Sequence, residues 1–403
     1  MKENMKKIIL TVIVSLYGEL LIPAISDNVI KTVHNDTYNG KKAEFVIGSN
    51  ITNNDITIGL FKVEKQEPEL VIEYHAKNKD IADFYKEIKN ILKDLKDTHD
   101  ISVSQGCFAI PGVAKGDLFL HPHLPWNTTQ DHQDSSQRGI DKQKIISIGG
   151  LERVYFINDF QAIAIGTQFA DESSLKKLQQ GKEVPQKTKL VIGAGNGLGA
   201  SLLIWDNSLN QYIPSALNYS FTEFGAESEL EFEFFKFLKN KTGNIAWGKV
   251  LGAGAGGIKL IYNFFNDYDQ QKDFEKRRYK NDKFIEYENY LDIFKNRNKS
   301  ARCNDSVNLF EKLYARIIRN AAYAQSVGSV YITNTVAQEF PDIFGTELFI
   351  KKIIELNGIV IDEGSKKYLE TYLNDISFFL VTNQKIPLYG AAALCIEPHL
   401  IKN

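Results

Sequence analysis

The chain has 403 residues, 48 Lys and Arg against 50 Asp and Glu, a formal net charge of -2 and 43% hydrophobic residues. So much apolar content with so little net charge excludes a disordered chain, and the length suffices for two domains with cores of their own. A near-neutral balance gives no general electrostatic reason to bind nucleic acid. Cys107, Cys303 and Cys395 lie too far apart for a disulfide framework or a zinc site, so a reducing, cytoplasmic setting is expected.

Met1 to Ser26 combines early lysines, an apolar run from Ile8 to Tyr17 and small residues at Ala24 and Ser26. Two readings stay open: a cleaved export signal, or an extension packed on the surface or disordered. The run is shorter than the about 20 residues a membrane helix needs, so no stable membrane association is expected. The Asn-x-Ser/Thr triplets at Asn35, Asn127 and Asn218 would matter only in an exported protein.

After this extension (1–43) the hydrophobic period alternates between strand and helix types. Glu44 to Ile47 predicts a strand, Gly48 to Asp55 a polar turn and Ile56 to Val63 the returning strand. Leu70 to Tyr74 is a further β-like run. Ile81, Phe84, Ile88, Ile91, Leu92 and Leu95 fall at helical spacing and predict an amphipathic helix. Ile101 to Ile110 reads as a strand ending at Pro111-Gly112. Val154 to Ile157, almost wholly apolar and ending at Asn158-Asp159, reads as a strand at the centre of a sheet covered on both faces.

The plan then recurs. Lys189 to Ile192 predicts a strand, Gly193 to Gly199 a glycine-rich turn and Ala200 to Trp205 the returning strand, so two hairpins each open a strand-and-helix module, an internal duplication. Glu227 to Leu238, Gly256 to Phe265 and Val307 to Ala324 carry helical periods, and the charged stretch Asn266 to Ser300 reads as a surface insertion or an exposed helix pair. The expected domains are a small α/β domain over 44–168, to which 387–403 returns, and a large α/β domain over 169–386.

Three features could carry chemistry. Asn158-Asp159 lies beyond the carboxyl end of a buried strand, where ligands gather in open α/β sheets; Asp159 is there either a general base or a helix N-cap. The turn Gly193 to Gly199 either presents backbone N–H groups to phosphate oxygens or simply closes a hairpin. Thr222-Glu223-Phe224-Gly225 offers a carboxylate ahead of an acidic helix, with capping as its structural alternative.

In order and spacing these segments resemble the bacterial-type glucokinase family, ATP-dependent hexose kinases with the two-domain actin-like ATPase (ribonuclease H-like) fold built of duplicated mixed-sheet modules. Phe156-Ile157-Asn158-Asp159-Phe160 is similar to the family's I-N-D-F segment and Val191 to Ala200 to its GAGTGLG phosphate loop. Ile110-Pro111-Gly112, Leu124-Pro125-Trp126, Glu223 to Gly225, Lys249 to Tyr262 and Leu388 to Ala393 are supporting matches. The zinc-binding cysteine cluster of the related repressor-and-kinase family is absent.

The resemblance implies that Asp159 takes the proton from the 6-hydroxyl of glucose or a similar hexose as that oxygen attacks the γ-phosphate. Asn158, Glu223, Pro111, Gly112 and His123 would contact the sugar; Asn50, Thr52 and Asn54 in the first hairpin tip, with Gly195, Asn196 and Gly197, would hold the nucleotide. ATP and Mg²⁺ are the implied cofactors, no metal ligand is assigned within the chain, and a homodimer follows by analogy. The departures bear on activity. Where the family has D-x-G-G-T-N this chain has Asn50-Ile51-Thr52-Asn53-Asn54-Asp55, its sugar-contacting histidine falls at Ala226, its later glutamate at about Gly248 and its adenine-side Gly-Gly at Asn334-Thr335. An active, divergent kinase and a catalytically impaired sugar- or nucleotide-binding relative acting as a sensor or interaction protein both remain open.

Overall fold

The computed structural model describes residues 20–22, 29–34, 44–52, 55–65, 67–77, 80–120, 139–182, 184–254, 256–271, 278–356 and 362–400. The chain divides into two compact units, Met1–Ala170 with Lys385–Asn403, and Asp171–Gln384.

The first unit is built on a seven-stranded sheet. β3 (Glu44–Ile51) and β4 (Asp55–Glu64) form an antiparallel hairpin that β5 (Glu67–Lys77) extends. On the other side of β3, β6 (Gln105–Ile110) and then β10 (Arg153–Asn158) pair in parallel. The extension contributes β1 (Leu20–Ile22) and β2 (Val29–Val33), which continue the sheet beyond β5. β7 (Val113–Lys115), β8 (Leu118–Leu120) and β9 (Gly139–Asp141) make a small separate sheet.

Alternation along the strands sorts side chains onto two faces. Ile47, Phe108 and Val154 meet the apolar stripes of α1 (Ile81–His99) and α2 (Lys142–Gly149). Val46, Cys107 and Ile157 meet α3 (Asp159–Gly166) and the C-terminal helix Ile386–Ile396. Two glycines let these last two helices touch backbone to backbone: a Cβ at Gly390 would lie 1.8 Å from the Ala162 carbonyl oxygen, and one at Gly166 2.1 Å from that of Ile386. The helix bearing Asp159 is therefore seated by its partner rather than by local sequence alone.

Several sequence expectations change here. β10 lies at the sheet edge, not its centre; its apolar run records burial on both faces, which an edge strand under helices has as much as a central one. β6 begins at Gln105, leaving Ile101 to Ser104 outside any strand. Gly48 is not in the turn but inside β3, where a Cβ would lie 2.3 Å from the Leu388 carbonyl oxygen, so the glycine serves the approach of the C-terminal helix.

The second unit repeats the pattern. β12 (Lys189–Ala194), β13 (Leu198–Asp206) and β14 (Gln211–Leu217) are antiparallel, and β15 (Ser329–Thr333) and β16 (Ser377–Val381) follow β12 in parallel. The order β14-β13-β12-β15-β16 matches β5-β4-β3-β6-β10, and β11 (Leu175–Gln179) adds an antiparallel edge. Helices α4 (Glu229–Thr242), α5 (Trp247–Leu251), α6 (Gly257–Gln270), α7 (Leu291–Lys295) and α8 (Ala301–Gln325) pack into one core.

The stretch Asn266 to Ser300 is not merely a surface insertion. α6 continues to Gln270, and Tyr279, Ile293 and Phe294 are buried in that core. Polar contacts tie it down: Asp269 accepts the N–H groups of Arg278 and Tyr279, and buried Arg302 donates to the Asp282 carbonyl while lying against the rings of Tyr262 and Tyr279. Sparse apolar anchors in a charged run escape a periodicity reading.

Candidate active site

In the first unit β10 delivers the chain directly into α3. Asn158 has an extended backbone (φ -65°, ψ 143°) and its Oδ1 accepts from the N–H groups of Phe160 at 3.0 Å and Gln161 at 3.4 Å. The N-cap is thus Asn158, which leaves Asp159 as the first helical residue with its carboxyl free of that duty. The Asn158 Nδ2 donates to the Gly112 carbonyl at 3.4 Å, tying α3 to the turn after β6. Gly112 has φ 149°, and a Cβ there would lie 2.1 Å from the Leu120 carbonyl oxygen, so Pro111-Gly112 admits no larger residue at its second position.

Asp159 is half-buried. Burial pushes its carboxyl up to about 6, against the opposite pull of the backbone N–H groups of Phe160 and of Asp159 itself and of the Asn158 side chain. Such a group is ionised near neutral pH yet basic enough to receive a proton, the property a general base requires.

At the first hairpin tip Asn50 stands in β3 opposite Thr57 of β4 and Ala109 of β6. The Thr52 N–H donates to the Asp55 carbonyl at 2.9 Å, so this turn consumes a donor that a glycine-rich loop would present outward. Asn53, Asn54 and the expected sugar contact His123, with Leu124 to Trp126, lie outside the described residues.

The second unit's tip is differently built. The turn is only Gly195-Asn196-Gly197, since β12 runs on to Ala194 and β13 starts at Leu198. The Gly195 N–H closes it on the Gly197 carbonyl at 2.8 Å, and the Gly195 carbonyl accepts from the Gly254 N–H at 3.1 Å. A Cβ at Gly195 would lie 2.6 Å from the Asn334 side chain, and one at Gly254 2.4 Å from the Asn196 Oδ1. Asn196 and Gly197 are exposed, and nothing stands within 4 Å of where a Gly197 Cβ would be. The tip is held from behind and open in front. Asn334 itself adopts φ 76° and its Oδ1 accepts the Thr335 N–H at 2.8 Å.

Glu223 does not cap a helix. Ser228 caps α4, and Glu223 forms an isolated bridge with Ala246, flanked by Phe224 N–H to Ile245 and Trp247 N–H to Thr222 carbonyl bonds of 2.9 Å. Its side chain is exposed. Behind it lies a pair that sequence patterning did not reveal: buried Arg316 donates to the Gly225 carbonyl at 2.7 Å and to the Glu231 carboxylate at 2.6 Å. Burial alone would raise the Glu231 carboxyl; hydrogen bonds from Lys312 and the Glu227 N–H and the Arg316 charge hold it below the usual range. The Arg316 guanidinium also lies over Phe224 and Trp247 at 5.6 and 5.7 Å. A charged residue on the apolar stripe of α8 was the available signal.

Two units of one strand plan, one presenting a carboxylate at a strand-to-helix junction and the other a glycine turn backed by a second glycine segment, define an actin-like ATPase fold of the sugar-kinase kind. The family model described as Glucokinase matches residues 52–397, and the chain belongs to that family. The glucokinase of Nostoc punctiforme is 24% identical over 304 residues, 72% of this chain and 81% of that protein. Among solved structures, the Balamuthia mandrillaris glucokinase in complex with glucose superposes with a TM-score of 0.68 at 15% identity, covering 89% of this chain and 95% of that one. A ROK family glucokinase from Streptomyces griseus, in complex with glucose and AMPPNP, gives 0.55 at 14% identity, covering 87% and 99%.

Among the described residues no group of three or more His, Cys, Asp or Glu is placed to hold a metal ion, and no helix is long and apolar enough to cross a membrane.

Proposed function

We propose that the chain transfers the γ-phosphate of ATP to the 6-hydroxyl of glucose or a closely similar hexose, with Asp159 as general base. The observation that carries this reading is the Asp159 carboxyl, relieved of capping by Asn158 and raised to about 6 by burial. Asp159 accepts the hydroxyl proton as the oxygen attacks phosphorus and the bond to the ADP leaving group breaks; positioning and charge stabilisation supply the rest. Glu223 and Asn158 hydrogen-bond sugar hydroxyls, the 3.4 Å bond from Asn158 to Gly112 being long enough to exchange for one. Pro111, Gly112 and His123 complete the sugar contacts.

Gly195, Asn196 and Gly197 hold the phosphates, with Asn50, Thr52 and Asn54 contributing from the first tip. Mg²⁺ arrives with the nucleotide as part of the substrate and neutralises phosphate charge. The three cysteines are buried and free, which suits a cytoplasmic enzyme. A homodimer is expected by family analogy, and light scattering of the purified chain tests it.

The test of the reaction is a coupled assay of several hexoses with MgATP, the Asp159→Asn protein serving as blank; formation of the hexose 6-phosphate by the wild type alone supports it. The second reading, a sugar-binding relative without turnover, draws on the Thr52 N–H being committed to Asp55 and on Asn50 replacing a carboxylate. It requires a calorimetric signal with glucose and no ADP when MgATP is added.

A further inference from the structure

The first turn of the C-terminal helix carries a charge of the wrong sign for its place. Lys385 stands at the N-cap of Ile386–Ile396 without a side-chain cap bond. A cation there opposes the helix dipole, which favours negative charge at an N-terminus. Glu73 of β5, a buried carboxylate, supplies that charge: its Oε2 accepts from the Lys385 Nζ at 3.0 Å.

The same carboxylate collects two histidines. The Nε2 of His34, directly after β2, lies 3.2 Å from Glu73 Oε2 and 3.4 Å from the Lys385 Nζ, and the Nε2 of His75 lies 3.0 Å from Glu73 Oε1. Burial alone would raise the Glu73 carboxyl; the hydrogen bonds of His34 and His75 and the Lys385 charge hold it well below the usual carboxylate range. On the opposite face of β2, buried Lys31 pairs with Asp94 of α1 at 2.7 Å, so the strand is pinned from both sides. One ionised carboxylate thus joins β2, β5 and the helix start, all within the first unit.

Lys385 adjoins the contact that seats α3. The next residue, Ile386, is the one whose carbonyl leaves no room for a Cβ at Gly166, and Gly390, about one turn on, meets Ala162 in the same way. Where backbone rests on backbone no side chain can rearrange to fill a gap, so a shift of the helix start is passed to α3.

We propose that Glu73, Lys385 and His34 form a positioning cluster for Asp159: they fix the first turn of the C-terminal helix, that helix fixes α3, and α3 fixes how deeply the Asp159 carboxyl is buried. β2, from the N-terminal extension, is by this route part of what sets the base. The three residues act through α3 rather than on substrate. The catalytic consequence rests on Asp159 being the general base, whereas the seating of α3 and the proton affinity of Asp159 do not.

Lys385→Met keeps the apolar stem and leaves Glu73 its two histidines, so no buried carboxylate is stranded; Glu73→Gln removes the charge from the other side, and Lys385→Arg retains a cation. Two readouts need no turnover. Amide hydrogen exchange of Asp159–Gly166 should quicken by about tenfold or more in Lys385→Met and in Glu73→Gln, with α1 unchanged, and stay within about twofold of wild type in Lys385→Arg. The Asp159 carboxyl, followed by NMR of isotope-labelled aspartate and identified by its loss in Asp159→Asn, should titrate about one pH unit lower in the first two variants as its burial relaxes. His34→Ala should quicken the same exchange by about threefold. Exchange of α3 unaltered in both variants, or quickened equally in α1, overturns the positioning role. Quickened exchange with an unmoved Asp159 titration overturns the link to the base, and His34→Ala without effect removes β2 from it. An Asp159 that titrates at about 6 and responds in this way, in a protein that phosphorylates no hexose, sustains the cluster and refutes the proposed reaction.

Discussion

The two hairpins that open the two units share strand order and pairing yet differ at their tips. In the second, glycines at 195 and 254 let backbone meet backbone and the Asn334 side chain, and the far side of Gly197 is open. In the first, the corresponding approach is made by Gly48 deep within β3, toward the C-terminal helix, while the tip carries side chains and folds the Thr52 N–H onto Asp55. A duplicated frame can thus place its close backbone contacts at different depths. Under the proposed function, the open glycine tip of the second unit is the principal phosphate grip and the first unit supplies the carboxylate.

Breaking that division most sharply is Asp159→Asn, which should lower turnover by about 10²-fold or more with MgATP and hexose; unchanged turnover would remove Asp159 from the chemistry. The same substitution should stabilise the fold. The folded carboxyl, at about 6, lies above the roughly 3.9 of a free aspartate, so folding disfavours the ionised form at higher pH. Asp159→Asn should therefore gain as much as about 3 kcal/mol at pH 8, the gain fading as pH falls through about 6 and gone below about 4, as read by urea unfolding.

The pH profile gives the next largest effect. Once pH drops below about 6 the base is protonated, so kcat/KM should fall by about tenfold per unit, and a profile flat to pH 5 would break the assignment. Gly195→Ala should raise the KM for MgATP by about tenfold, because the added Cβ displaces Asn334 from behind the turn. The smallest effect is expected from Thr52→Gly, within about twofold on the same KM. A tenfold improvement there would show instead that the first tip is the limiting grip.

Much of this was legible from the chain. The three- and four-residue spacing from Ile81 onward marked α1, whose buried positions Phe84, Ile88, Ile91 and Leu95 are those expected, and the helix continues to His99 under an Asp100 cap in the left-handed region. The hairpins and the position of Asp159 were visible because apolar strands end abruptly at polar residues. What stayed hidden depends on distant partners. Nothing near Gly48 announces Leu388, and nothing near Glu231 announces Arg316, 85 positions later. The N-terminal strands were obscured for a different reason: β2 carries buried Lys31, paired with Asp94 at 2.7 Å, so its pattern is not a clean alternation.

The seating of α3 against Ile386–Ile396 has a consequence for biosynthesis. Asp171–Gln384 is contiguous and can assemble as it leaves the ribosome, whereas the part translated earliest must wait for a helix made near the finish. A released chain truncated after Gln384 would thus carry one complete body and one still lacking the wedge that sets its acidic junction in place.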